Sequence, residues 1–322
     1  MTDFRCLRCD RTLPESQRNP EHVYPHAIGG SLVLHEVCKP CNDQLGQHFD
    51  APLVDNLFIR MKRHRLGIAN RDGKVPDPLG ETVATLADQP QIRVELDRGS
   101  GVRTLPSEIR STDSNGNERR TIFLDSRDQE EVRRVQSKVE ERAARRGQRA
   151  IVEVGEEIRT ENPKIQYQFN LPIHDWMFGL FKIAYELAFF ALGSPYLDDP
   201  MAAKFRSFLQ TVPPSKDTLD RSGVLDHGKA RVYGPGLGKM PPREGFPENF
   251  HWGEIVLDEK ANRLWAELWV FEAHGLATIV SESASAYPAA SVRTAVALDA
   301  QQRRHSAMAQ STKVRRRFCS RS

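Results

Sequence analysis

Two cysteine pairs, Cys6/Cys9 and Cys38/Cys41, each spaced C-x-x-C, bracket the stretch EHVYPHAIGG at residues 21–30. Four thiolates presented from two tight turns suit tetrahedral Zn2+, which prefers soft, deprotonated sulfur. No N-terminal apolar leader is visible, so export is not expected, and the pairs read as a metal site before disulfides. With all four corners taken by sulfur, His22 and His26 are left for other work. An imidazole can accept a proton near pH 7. A carboxylate such as Glu21 and a side-chain amide such as Asn42 suit a hard cation, Mg2+ or Mn2+.

These groups need elements to position them. The 28 residues between Cys9 and Cys38 exceed a zinc-ribbon gap, so a unit must be built between the knuckles. Gly29 and Gly30 permit a reversal into SLVLHEV, and VCKPCNDQLGQHFD reads as strand end, knuckle and short helix. The order is strand, glycine loop, strand, helix. A helix is then expected over DAPLVDNLFIRMKRHRLG, with Leu53, Leu57 and Met61 on its buried face. Asp50 is either its N-cap or a third metal ligand, and His48 is expected at the surface.

The pattern C-x-x-C … E-H-V-x-P-x-x-x-G-G … C-x-x-C-N-x-x-x-G-x-x-x-D, residues 4–55, resembles the HNH endonucleases, the ββα-metal nucleases, in their zinc-bearing branch. The resemblance implies that His22 activates a water for attack on phosphorus. It implies that Glu21 and Asn42 hold the catalytic divalent cation, Mg2+ or Mn2+, while Cys6, Cys9, Cys38 and Cys41 hold a structural zinc. The sequence departs from the pattern where the central Asn is expected, since Val33 and Leu34 stand there. His26 either supports the loop or contacts phosphate. Arg60, Lys62 and Arg63 of RMKRHR either grip phosphates or form a solvated face.

The implied function is metal-dependent hydrolysis of DNA, with RNA left open as substrate. The rival is a treble-clef zinc module that binds nucleic acid or protein without cutting. The combination of Glu21, His22 and Asn42 favours the nuclease.

The expected fold class is α+β, with three parts: a small treble-clef or ββα-metal zinc domain at 1–75, a larger α+β domain at 80–282, and a basic, partly disordered tail at 283–322. Residues 70–90, rich in Pro, Gly and Asp, mark the first boundary. In the second region IRVEL, VRTL, TIFLD and KIQYQFNLP read as strands, 126–146 as a helix opened by a Ser126/Gln129 capping box, 210–250 as loop, and 254–282 as an antiparallel meander. FKIAYELAFFALG followed by FRSFLQ resembles the C-terminal parts of prokaryotic HNH proteins, some suspected in phage defence. Lys182 and Glu186 interrupt the apolar run 176–192, which argues for a core helix and against a membrane span. The net charge of +3 conceals a tail with eight basic residues and one acid, Asp299. The cluster Arg315–Arg317 can supply only local polyanion affinity, and Cys319 stands alone nearby. A cytoplasmic protein is expected; a homodimer is compatible with the sequence.

Overall fold

The computed structural model describes residues 3–70, 72–78, 82–85, 91–97, 101–112, 118–125, 127, 129–147, 173–224, 230–234, 247–271, 273–289 and 291–309. Ser126, KIQYQFNLP, Arg315–Arg317 and Cys319 lie outside these. The chain forms two compact units, one of residues 1–76 and 171–322 and one of residues 77–170.

In the first unit, β1 (Asp3–Arg5) pairs with β2 (Thr12–Pro14) around the first cysteine turn, and β3 (Arg18–His22) pairs antiparallel with β4 (Val33–Cys38). Register slips between Asn19 and Glu21, where Pro20 can donate no ladder hydrogen bond; beyond the bulge Glu21 faces Leu34 and His22 faces Val33. Then come α1 (Lys39–Leu45), a π turn (Gly46–Asp50), α2 (Ala51–Val54) and α3 (Leu57–Leu66). The helix expected from Asp50 onward is broken at Asp55–Asn56. Asn56 caps α3 by accepting from Phe58 N at 3.0 Å, which restarts the register. In consequence Ile59 and Arg63 turn inward and Met61, expected in the core, is 47% exposed.

The second unit holds β5 (Thr82–Thr85), β6 (Gln91–Asp97) and β7 (Gly101–Thr104) in one antiparallel sheet, the hairpin β8 (Ser107–Thr112) and β9 (Glu118–Phe123), and α4 (Gln129–Arg145). Arg134–Glu131 and Arg145–Glu141 pairs on α4 are those of a solvated helix.

The chain returns to the first unit with α5 (Ile173–Leu192), α6 (Pro200–Gln210) and α7 (Lys216–Ser222). It ends in six strands: β10 (Ala230–Tyr233), β11 (Phe250–Asp258), β12 (Arg263–Val270), β13 (His274–Ser281), β14 (Thr294–Asp299) and β15 (Arg304–Ala309). Their order is β10-β13-β12-β11-β14-β15, every neighbouring pair antiparallel. The meander of β11 to β13 stands where alternation placed it. Within 210–250, expected as loop, α7 forms because Ser215 and Thr218 make a reciprocal capping box.

Two expectations are corrected. Residues 171–282 do not join 80–170 in one domain; they share a hydrophobic core with residues 1–76. Residues 283–309 are not a disordered tail, since β14 buries Ala295, Val296 and Leu298 beside β11. Small apolar residues with few aromatics disguise that strand in the sequence.

α5 joins the two ends of the chain. It is apolar nearly all round, as a fully enclosed helix must be, and it contacts β11, β12 and β13 as well as α2 and the π turn. Gly179 permits the approach: a Cβ there would lie 2.7 Å from Phe49 O and 2.8 Å from Leu53 Cβ. Among the described residues, no helix is long and apolar enough to cross a membrane.

Candidate active site

Cys6 and Cys9 lie on the turn after β1, Cys38 ends β4 and Cys41 sits in the first turn of α1. Their four Sγ atoms lie within 4.8 Å of one another, with Cys6–Cys38 at 3.7 Å and Cys9–Cys38 at 4.0 Å. A tetrahedron of Zn–S bonds of about 2.3 Å requires sulfurs about 3.8 Å apart, so the cluster fits such an ion. All four cysteines are free thiols. Hydrogen bonding from Cys41 lowers Cys6 to about 4, and the same contact pushes Cys41 up. Cys38 N–H and Arg11 Nε donate to Cys6 and Cys9 at 3.4 and 3.5 Å. The cluster could hold a structural metal such as zinc.

A pocket of about 290 Å3 opens beside this cluster's helix, lined by Glu21 and His22 from β3, His26 from the glycine loop, and Asn42, Asp43, Gln47 and Asp50 from the helix. The His22 and His26 rings meet edge to face with centroids 5.1 Å apart. Asn42 Nδ2 donates to Pro20 O at 2.8 Å, tying the helix to the bulge of β3. Asn42 and Asp50 are eight positions apart, with a π turn between them. In that turn Ala51 N–H reaches Gly46 O, and both residues line the pocket. Asp50 is not a cap: its backbone is helical and its side chain accepts no first-turn N–H.

Behind the pocket lies a buried charge cluster. Lys182 on α5, fully buried, places Nζ 2.5 Å from Glu21 Oε1, 3.0 Å from Glu186 Oε2 and 3.2 Å from Asp50 Oδ1. It also donates to the His22 carbonyl at 2.6 Å, which fixes the end of β3. Burial alone would discharge the lysine, but Asp50, Glu186 and Glu21 hold its ammonium well above the usual range. Burial pushes Asp50 up to about 7 against the pull of Lys182, and raises Glu186 as well. Three carboxylates face one ammonium, a formal charge of −2 with every group ionised. A divalent cation at Glu21 and Asp50 would balance it.

Residues far along the chain hold the loop. Tyr24 OH donates to Trp252 O at 2.5 Å, and His251 Nε2 lies 2.9 Å from Ile28 O. Gly29, at φ 92°, could carry no side chain, for a Cβ would lie 2.2 Å from Ala300 O. These contacts brace the glycine loop from the C-terminal strands.

Residues 6–58 match the HNH endonuclease family. The chain therefore carries an N-terminal HNH domain, with both cysteine pairs, His22, Asn42 and Asp50 inside the match, and the family implies nuclease activity on nucleic acid in general. No curated protein and no solved structure matches the chain.

Of the residues singled out in the sequence, Glu21, His22, His26 and Asn42 converge on one pocket in the HNH domain. The RMKRHR stretch does not form one solvated face. Arg63 is 2% exposed and bonds to Asn70, because the restarted register of α3 turns it inward, while Lys62 and Arg65 are engaged by Glu248. Arg60 is half-buried. His48 is partly buried, where a surface position was expected. Sequence reasoning missed Lys182 and Glu186 as site residues, although two charges inside an apolar run are the signal of a buried functional pair.

Proposed function

We propose that the chain is a metal-dependent HNH endonuclease that hydrolyses phosphodiester bonds in DNA, with His22 as general base. The observation that carries this reading is the convergence of His22, Glu21, Asn42 and Asp50 on one pocket inside the residues that match the family. Glu21, Asn42 and Asp50 would hold the divalent cation, Mg2+ or Mn2+, whose chemistry is to neutralise charge on the phosphoryl group. Hard oxygen donors without thiolates support that choice.

The chain's own residues do the rest. His22 takes the proton of the attacking water, and its backbone is fixed by Lys182 so that the ring keeps its place. Asn42 ties helix to strand at the bulge, and the cysteine cluster, which we assign to zinc, pins α1 to β1 and β4. The sequence resemblance of FKIAYELAFFALG and FRSFLQ to prokaryotic HNH proteins extends the proposal to phage defence, which a plaque assay on expressing cells would test. The cleavage reading itself is tested by incubating plasmid with the full chain in Mg2+, Mn2+ or EDTA. Nicked or linear DNA is expected with the metals and not with EDTA; intact plasmid in all three refutes the reading.

A further inference from the structure

The pocket's own acids pose a difficulty for its substrate. Glu21, Asp43 and Asp50 line it, and each would repel an incoming phosphodiester. A cation supplied by the chain would offset the repulsion left beside a bound metal; in RMKRHR, Arg63 is buried and Lys62 and Arg65 pair with Glu248. The glycine loop has another basic neighbour. Arg303 closes the turn between β14 and β15 with φ 51°, in the left-handed region. Its Nη1 lies 3.0 Å from Nδ1 and 2.5 Å from Nε2 of His26 and 3.2 Å from the His26 carbonyl, and Nη2 donates to Ala69 O at 2.9 Å.

The turn is fastened on both sides of Arg303. Gln301 Nε2 donates to Leu66 O at 2.8 Å, and His305 Nδ1 lies 3.2 Å from Ser31 Oγ. The partners of the guanidinium are an imidazole and two carbonyls, and among the described residues no carboxylate pairs with it. A half-buried guanidinium with no carboxylate partner among the described residues is a ready partner for phosphate, whose oxygens match its fork.

We propose that Arg303 is the phosphate-binding cation of this site, contacting a phosphodiester oxygen of bound nucleic acid alongside His26. The inference rests on reading the pocket as a nucleic-acid site, and it extends that site to a residue far outside the HNH match.

The test uses the zinc-loaded full chain and a short DNA duplex in buffer without Mg2+ or Mn2+, with affinity followed across NaCl concentrations. Arg303→Gln keeps N–H donors for the two carbonyls and loses the charge; Arg303→Lys keeps the charge. Affinity of the Gln variant should fall on the order of 10–100-fold at low salt, and its slope of log K against log salt should flatten by about 0.9. The Lys variant should retain most binding. Wild-type affinity and slope in Arg303→Gln would overturn the proposal, leaving Arg303 as a brace for the loop. Independently of any variant's folding, bound duplex should shield Arg303 of the wild type from phenylglyoxal by peptide mass spectrometry, and equal labelling with and without duplex would overturn it. If binding depends on Arg303 but no metal supports cleavage, the phosphate site stands and the nuclease reading falls. If the wild type cuts, and Arg303→Gln cuts with the same KM and salt slope, the nuclease stands and this proposal falls.

Discussion

Replacing Lys182 by methionine isolates the energetic role of the buried cluster. The substitution leaves volume nearly unchanged and strips the one ammonium from Glu21, Asp50 and Glu186, which lie 2.5–3.2 Å from it. At an effective dielectric near 20, one contact at about 3 Å carries on the order of 5 kcal/mol of Coulomb energy. Most of that is offset by the cost of desolvating the charges. Removal of one partner from a buried ion pair costs about 3–5 kcal/mol, because the remaining charge is left uncompensated. Against a native stability of about 5–15 kcal/mol, the variant should be marginal. Urea unfolding of zinc-loaded protein without added Mg2+ or Mn2+ gives the difference directly, and the double variant Lys182→Met/Glu186→Gln should recover part of the loss. A Lys182→Met protein within about 1 kcal/mol of wild type, the range of an exposed pair, would refute the reasoning.

Two further outcomes follow from the same packing. Burial lowers His251 to about 4 while it contacts Ile28 O; the unfolded chain binds its proton at about 6.5, so the stability it contributes is present above that pH and is lost as pH falls toward 4. The loss should approach roughly 3 kcal/mol at 1.36 kcal/mol per pH unit, and urea titrations at pH 7 and pH 4 should show a drop smaller by about that amount in His251→Gln than in wild type, the rest including His274, which burial lowers to about 3. Elemental analysis should find about one zinc per chain, and Cys38→Ser should lose it and lower the unfolding temperature of β11–β14 too, read by hydrogen exchange, since both ends of the chain share one core; zinc retained in full would contradict the assignment.

What was legible in the sequence was what lies close together in it. Thiol spacing, the Glu21–His22 step and Asn42 after Cys41 fall within one contiguous pattern, and all of them reach the cluster or the pocket. The meander was legible because Trp265, Glu267 and Trp269 alternate with the buried Leu264, Ala266, Leu268 and Val270 along β12. Asn56 capping a second helix was hidden inside an apolar spacing that runs straight through it, and Met61 was misplaced as a result. The π turn that ends at Asp50 depends on hydrogen-bond register and leaves no compositional trace. Lys182 was visible as a charge in an apolar run, but its partners come from three separate segments. Arg303 looked like tail because its strands are short and made of small residues, and its contact with His26 spans 277 positions.

The central claim, that His22 does chemistry and not structure, is tested most directly by His22→Ala under single-turnover conditions with saturating Mg2+ or Mn2+. Loss of a general base typically costs 10²–10⁴-fold in rate, so cleavage should fall to near background. Zinc content and duplex binding should stay at wild-type levels, and stability within about 1 kcal/mol. Asn42→Ala, by contrast, should regain part of its activity in excess metal, which His22→Ala should not do at any concentration. Plasmid cut by His22→Ala at the wild-type rate would contradict the account.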